Sequence, residues 1–236
     1  MIRQIIQIGN PLLETPSKEV TFPLTQEIRE IILDLKDTLL STGDLGVGIS
    51  AVQIGYNYRI SIVKDFDLAS KLKKCRSYEK LLNVSCHGKT FGEILSLSNP
   101  KLYNNILERG EGITFDQELN KEISNITDFV IVNPEIISEN DFETYFFEGC
   151  LSVGVGDNAL YAPVGRAEQI KIIYFNENGE KKELFAKNYF AHVILHEIDH
   201  MNGILFLSKV KDPSKIWKSI DLDKYYDKYK KYPPMF

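Results

Sequence analysis

Residues 189–203 read YFAHVILHEIDHMNG, a stretch that predicts a long helix carrying three histidines, His192, His196 and His200. Its apolar residues recur at helical spacing, and Gly203 suits the turn that follows a helix. Positions four apart share one face of a helix, so the imidazoles of His196 and His200 can reach one metal ion, with Glu197 beside them facing a water on that ion. The HExxH pattern alone also fits a packed or solvated helix face.

Cys150 is the candidate for a third metal ligand. It lies in EGCLS, residues 148–152, where a glycine permits close approach of the backbone. A thiolate there would complete a Cys-His-His set that leaves the fourth metal position open for water. The alternative interpretation is a buried structural cysteine.

A further block, GVGISAVQIG at residues 46–55, offers small residues for close approach of an extended ligand. At Gln53 it also offers an amide that could donate to an oxyanion.

Composition excludes several classes of protein. The 236 residues include 28 Lys plus Arg and 33 Asp plus Glu, and this acidic balance argues against binding to DNA or to nucleic acid in general. No apolar run approaches the roughly 18 to 20 residues of a membrane-spanning helix. The first sixteen residues lack the apolar stretch of a signal peptide, and three cysteines fit a reducing compartment. We therefore expect a cytoplasmic protein without membrane contact.

The remaining sequence predicts a mixture of helices and short strands. Apolar residues at helical spacing between Thr25 and Gly43 predict an amphipathic helix, and β-branched runs at 59–64, 129–132 and 170–175 predict strands of a mostly antiparallel sheet. Between about residues 65 and 128 the composition changes. This segment begins with several lysines and then contains glycines and an Asn-Pro pair that interrupt helices and strands. This segment predicts inserted helices and loops; the alternative is that it belongs to the core of the same domain.

Three blocks, in this order, resemble the three motifs of the peptide deformylases: GVGISAVQ at 46–53, EGCLS at 148–152 and HEIDH at 196–200. The resemblance extends from Asn10-Pro11 to Phe206 but omits the segment from about 65 to 128. It implies an α+β fold with antiparallel sheets packed around a central metal-binding helix and a mostly helical insertion. We therefore expect one catalytic domain at 1–210, interrupted at about 65–128, and a C-terminal tail or helix at 211–236.

The same resemblance implies an enzyme, a metal-dependent hydrolase that removes the N-formyl group from the N-terminal formyl-methionine of newly made polypeptides. By the resemblance, one divalent ion is held by Cys150, His196 and His200. Fe(II) is favoured, and Zn(II), Ni(II) or Co(II) also suits a thiolate with two imidazoles. The formylated nascent peptide is the expected partner.

The resemblance also carries roles for individual residues. Glu197 is the general base, and the Gln53 amide and the Leu151 N–H stabilise the oxyanion. Arg166 and Asp199 are expected to pair behind the histidine helix. The residues expected to bind substrate are Val47, Gly48, Glu148, Gly149 and His192.

Several features depart from the family pattern. EGCLS continues as VGVGDN at 153–158 instead of with a proline and an arginine, and His192 stands where the family usually has an apolar residue of the methionine pocket. Two alternatives therefore stay open: a deformylase-like peptide-binding module with altered substrate or weak turnover, and an HExxH metallopeptidase. The C-terminal DKYYDKYKKYPPMF at 223–236 is either a solvated tail or a site of transient ribosome contact, as in some bacterial relatives.

Overall fold

The computed structural model describes residues 1–43, 46–108 and 113–236. The helices of these ranges are α1 (Gln26–Ser41), α2 (Phe66–Lys73), α3 (Tyr78–Leu82), α4 (Phe91–Ser98), α5 (Pro100–Glu108), α6 (Gln117–Thr127), α7 (Asn188–Met201) and α8 (Ser219–Tyr229). The strands are β1 (Gly48–Ser50), β2 (Ile60–Lys64), β3 (Ser85–Cys86), β4 (Lys89–Thr90), β5 (Asp128–Glu139), β6 (Glu143–Gly149), β7 (Leu160–Ala167), β8 (Gln169–Phe175), β9 (Lys181–Lys187) and β10 (Trp217–Lys218).

The chain forms two compact units. The first comprises Met1–Val63 and Val130–Phe236, and the second comprises Lys64–Phe129. Within the described residues, no helix is both long enough and apolar enough to span a bilayer.

A five-stranded sheet, in the order β1-β2-β5-β8-β9, forms one layer of the first unit. Neighbouring pairs β1–β2, β5–β8 and β8–β9 run antiparallel. Helix α1 begins where the Thr25 side chain accepts a hydrogen bond from the Ile28 N–H, which satisfies one of the free donors of the first turn. The apolar face predicted between Thr25 and Gly43 is buried in the core beside Ile49 and Ile60 of the sheet.

A second sheet, in the order β10-β7-β6, forms the other layer of this unit. Strands β6 and β7 pair antiparallel from Glu143↔Ala167 to Gly149↔Tyr161, so Cys150 directly follows the paired end of β6. Helix α7 contacts β1, β8 and β9 of the five-stranded sheet and β6 and β7 of the smaller one. The predicted α+β arrangement, with antiparallel sheets around the histidine helix, is confirmed.

Helix α7 ends as the sequence predicts. The Asn202 N–H donates to the Ile198 and Asp199 carbonyls, and Gly203 follows with a φ of +74°. An added Cβ at Gly203 would also lie 2.7 Å from the backbone of Glu14, so the left-handed backbone and the close approach both require glycine.

The second unit is mostly helical and has a hydrophobic core of its own. Its helices begin at side chains that accept hydrogen bonds from the first turn: Asp65, Ser77, Thr90 and Asp116. Because each amphipathic helix buries its apolar side, the fully buried side chains of Leu72, Leu81, Phe91, Leu95 and Leu102 meet in one cluster.

The C-terminal residues belong to the first unit. Strand β10 pairs antiparallel with β7, and α8 follows it. Aromatic rings near the end of the chain pack in pairs. Between ring centroids, Tyr232 lies 5.6 Å from Phe147, and Trp217 lies 5.5 Å from Tyr225. In the predicted tail or helix, Tyr232 therefore packs against β6 and Tyr225 packs against β10.

We expect Leu95→Ala to destabilise the second unit by about 2–5 kcal/mol, because Leu95 is fully buried and its truncation leaves a cavity. Hydrogen exchange of the amides in α4, α5 and α6 measures the effect, with the exposed Leu97→Ala as the matched control. Unchanged amide protection in the Leu95→Ala variant would contradict a shared core.

Candidate metal centre

Three predicted ligands meet at the face of α7. The ligand atoms of Cys150, His196 and His200 all lie within 4.8 Å of one another. Cys150 and His200 are buried, and the His196 side chain is 12% exposed. Cys150 Sγ is 3.2 Å from His200 Nε2. His196 Nδ1 is 2.8 Å from a carboxylate oxygen of Glu148, so Nε2 is the ring nitrogen that could bind an ion. One thiolate and two imidazoles at this spacing fit a divalent transition-metal ion.

The protonation of these ligands follows from their surroundings. Burial holds the pKa of His200 well below its ordinary value, so this imidazole is neutral, as metal binding requires. Burial also acts to lower the pKa of His196, but hydrogen bonds with Cys150 and Glu148 outweigh it and raise that pKa well above the ordinary value. His196 must therefore release a proton to serve as a ligand.

A network of buried charges lies behind the histidines. Arg166 donates from Nε and Nη2 to the two carboxylate oxygens of Glu148, the second over 3.1 Å, and from Nη1 to Asp199 Oδ2 over 2.6 Å. Lys209 Nζ reaches the other Asp199 oxygen at 3.3 Å. Burial opposes ionisation of Glu148, but hydrogen bonds from His192, His196 and Arg166 keep its pKa well below the ordinary value. The predicted partners Arg166 and Asp199 are thus in direct contact.

Glu197, the predicted base, points away from this network. Its Oε2 accepts a hydrogen bond of 2.6 Å from Ser50 Oγ, at the end of β1. Gly48 of the same strand lies so close that an added Cβ would be 3.0 Å from the Glu197 carboxyl carbon. Burial raises the pKa of Glu197 to about 7, so the carboxylate can accept a proton near neutrality.

Gln53 is fixed beside the Cys150 sulfur. The Ser50 N–H donates to Gln53 Oε1 over 2.8 Å, which turns the amide nitrogen toward Ser152 Oγ at 3.2 Å and Cys150 Sγ at 3.5 Å. Leu151 follows the cysteine, and its carbonyl accepts a hydrogen bond from Gln7 Nε2. The side chain of Gln53 thus contacts Cys150, and Leu151 follows Cys150 in the chain.

A cavity of about 870 Å³ opens at the cluster. Its wall includes every residue predicted to bind substrate and also Gln53, Cys150, Leu151, His196 and Glu197. Among the described residues, His200, Arg166 and Asp199 lie outside this lining, behind the cavity wall. The volume is typical of sites that take small ligands or short peptides.

Comparison with known proteins identifies the family. A family model described as polypeptide deformylase matches residues 2–215. The chain belongs to the polypeptide deformylase family. The peptide deformylase of Wolinella succinogenes is 30% identical over 206 residues, which cover 87% of this chain and 86% of that protein. The resemblance of the three sequence blocks to the peptide deformylases is confirmed.

Solved peptide deformylases share the fold. The crystal structure from Legionella pneumophila matches with a TM-score of 0.58 and 26% identity, covering 99% of this chain and 100% of that one. An Acinetobacter baumannii structure, bound to Met-Ala-Ser, matches with a TM-score of 0.58 at 23% identity over 89% and 99% of the two chains, which supports the fold alone. The protein is therefore an enzyme, a deformylase that removes the formyl group from formyl-methionine at the start of newly made polypeptides.

Sequence reasoning missed some residues of this deformylase site. Ser50 holds the predicted base, and its hydroxyl gave no separate signal inside the glycine-rich block. The cavity wall also includes Arg3, Gln4 and Ile5 from the N-terminal segment, together with Ser219 from the C-terminal helix. These residues are far from the motifs along the chain, so only the fold brings them together.

We expect Gly48→Ala to lower kcat/KM for a formylated peptide by about a hundredfold, because the new methyl group displaces the Glu197 carboxylate. The neighbouring Ile49→Val, which changes a buried core residue of the same strand, serves as the control and retains activity. A folded Gly48→Ala variant with full activity would show that the carboxylate position tolerates the contact.

We expect Arg166→Ala to lower the free energy of unfolding by about 3–5 kcal/mol, because it leaves two carboxylates without their shared buried cation. Urea denaturation measures this loss, and the Arg166→Lys variant should recover only part of it, since an ammonium cannot replace the planar fork. An Arg166→Ala variant as stable as the wild type would refute the stabilising role of Arg166.

Proposed function

We propose that this deformylase holds one divalent metal ion with Cys150, His196 and His200 and uses Glu197 as its base. The observation that carries the proposal is the convergence of one thiolate and two imidazoles on a cavity with a buried carboxylate beside them. A bound ion would lower the pKa of a water molecule toward neutrality and polarise the formyl carbonyl.

Glu197 would accept the proton of the attacking water and return it to the amine of methionine as formate leaves. Its hydrogen bond from Ser50 keeps the carboxylate facing the cavity rather than the core. Gln53 and the Leu151 N–H would stabilise the charge that develops on the formyl oxygen, and one such donor is typically worth about 3–4 kcal/mol. The Ser50 N–H and Ser152 hydroxyl fix the Gln53 amide before substrate arrives.

The substrate main chain would bind between two strand edges. Strand β1 is the outer strand of one sheet and β6 the outer strand of the other, and both reach the cavity. Val47, Gly48 and Gly149 therefore offer unpaired backbone groups to an extended peptide, which tolerates varied residues after the first. Glu148 and His192 would complete the wall around the first residue.

Glu197→Gln tests the base. We expect this variant to retain one metal equivalent yet release formate from a formyl-Met peptide at least a thousandfold more slowly, because the amide cannot accept the water's proton. Metal analysis and a coupled formate assay give the two readouts, and the exposed Glu139→Gln is the control. An active Glu197→Gln enzyme would refute the mechanism.

For the ion we propose Fe(II), with Zn(II), Ni(II) or Co(II) able to replace it, since thiolate and imidazole ligands accept all four. We expect protein purified without oxygen to contain about one iron per chain, and chelation to abolish formate release until a divalent ion is restored. Residual activity in fully chelated protein would contradict metal dependence.

The two alternative functions predict different products. A metallopeptidase would cleave internal bonds of an unformylated peptide, whereas a peptide-binding module would retain a formyl peptide without releasing formate.

We propose a cytoplasmic site of action, because the substrate is a newly made polypeptide. Exposed Tyr226, Tyr229 and Lys228 on α8 are the groups we propose for transient ribosome contact. Ribosome co-sedimentation that survives Lys228→Glu would contradict this contact.

A further inference from the structure

His192 is a buried polar residue on the same helix as the metal ligands. It lies one turn before His196, and only 1% of its surface is exposed. Its ring packs edge-to-face against Phe146 at 5.1 Å between centroids. Residues four apart share a helix face, so His192 and His196 point toward the same element, strand β6. The Glu148 carboxylate stands opposite both of them.

His192 Nε2 lies 2.5 Å from Glu148 Oε1, although the contact lacks the alignment of an ideal N–H···O hydrogen bond. Burial lowers the pKa of His192, so the ring is neutral and carries one proton. A nitrogen lone pair at this distance from a carboxylate would be repelled, and the proton must therefore be on Nε2. The other nitrogen, Nδ1, has no hydrogen-bond partner among the described residues.

Three side chains, those of Arg166, His192 and His196, contact the Glu148 carboxylate. Its Oε2 accepts from His196 Nδ1 at 2.8 Å and from Arg166 Nη2 at 3.1 Å, and its Oε1 meets Arg166 Nε and His192 Nε2. A carboxylate offers about four lone-pair sites. Each oxygen thus bridges the arginine and one histidine, and the two histidines are held by opposite oxygens of one group.

We propose that His192 is a positioning residue for the metal centre: it fixes the Glu148 carboxylate, which in turn orients His196 with Nδ1–H toward Glu148 and Nε2 toward the metal. This inference rests on the proposed ligand set. An apolar side chain at 192 would leave Glu148 Oε1 with one donor, and the carboxylate could then turn away from His196. Partners that orient a metal-bound histidine typically change metal affinity by 10-fold to 100-fold.

The test compares metal affinity, which requires no catalysis. We expect His192→Phe, which keeps a flat ring against Phe146 but removes the N–H, to bind Co(II) about tenfold more weakly in competition with a chelator. His192→Gln restores an N–H donor and should return the affinity to within about threefold of the wild type. Ile194→Val, a buried change on the same helix, is the control for general loss of packing and should bind as the wild type does.

A second measurement uses the wild-type protein and so does not depend on the folding of a variant. The chain has four histidines, and nitrogen chemical shifts of the labelled imidazoles in the Zn(II)-loaded protein report which ring nitrogen carries the proton. We expect a proton on Nε2 of His192 and on Nδ1 of His196. A His192 ring with a bare Nε2 would overturn the proposal.

The possible failures can be told apart. If the wild type itself binds no Co(II), the proposed metal site is wrong. If the wild type and His192→Phe bind Co(II) equally, the metal site stands and the positioning role of His192 is wrong. Weak binding by both His192→Phe and His192→Gln would also refute the role, because the donor would then make no difference.

Discussion

The proposed metal centre depends on one buried carboxylate, that of Glu148. Its negative charge is stable with only 6% of the residue exposed because Arg166 and His196 donate to it. Through Arg166 the same charge is linked to Asp199, which lies between His196 and His200 on α7. Loss of any member leaves a buried charge without its partner, and this makes the network far more sensitive than a surface ion pair.

The fold brings the members of this network together from separate parts of the chain. Glu148 comes from the end of β6, Arg166 from the paired strand β7, and the histidines from the helix packed across both. Cys150 follows Glu148 by two residues, so one strand end supplies a proposed metal ligand and the carboxylate that contacts another, His196. The edge of β1 brings Ser50 and Gly48 against Glu197 from the opposite sheet.

Sequence patterns could predict the parts of this arrangement that depend on local chemistry. Helical periodicity and a terminal glycine predicted α7, and the HExxH spacing predicted that His196 and His200 share one helix face, because both follow from the geometry of a few neighbouring residues. Cys150 is far from the histidines along the chain, and its place in the ligand set came from the resemblance of EGCLS to the peptide deformylase motif. The contact of His192 with Glu148, the hydrogen bond of Ser50 to Glu197 and the N-terminal contribution to the cavity wall could not be predicted in this way. Each joins residues more than forty positions apart and depends on strand register and helix orientation, which no local pattern encodes.

X-ray absorption of the Zn(II)-loaded protein is the most direct test of the claim that Cys150, His196 and His200 form the metal centre of this deformylase. The account predicts one sulfur at about 2.3 Å and two imidazole nitrogens at about 2.0–2.1 Å around each zinc ion, and loss of the sulfur in Cys150→Ser. A zinc ion without a sulfur neighbour, or one with three imidazole ligands, would contradict it.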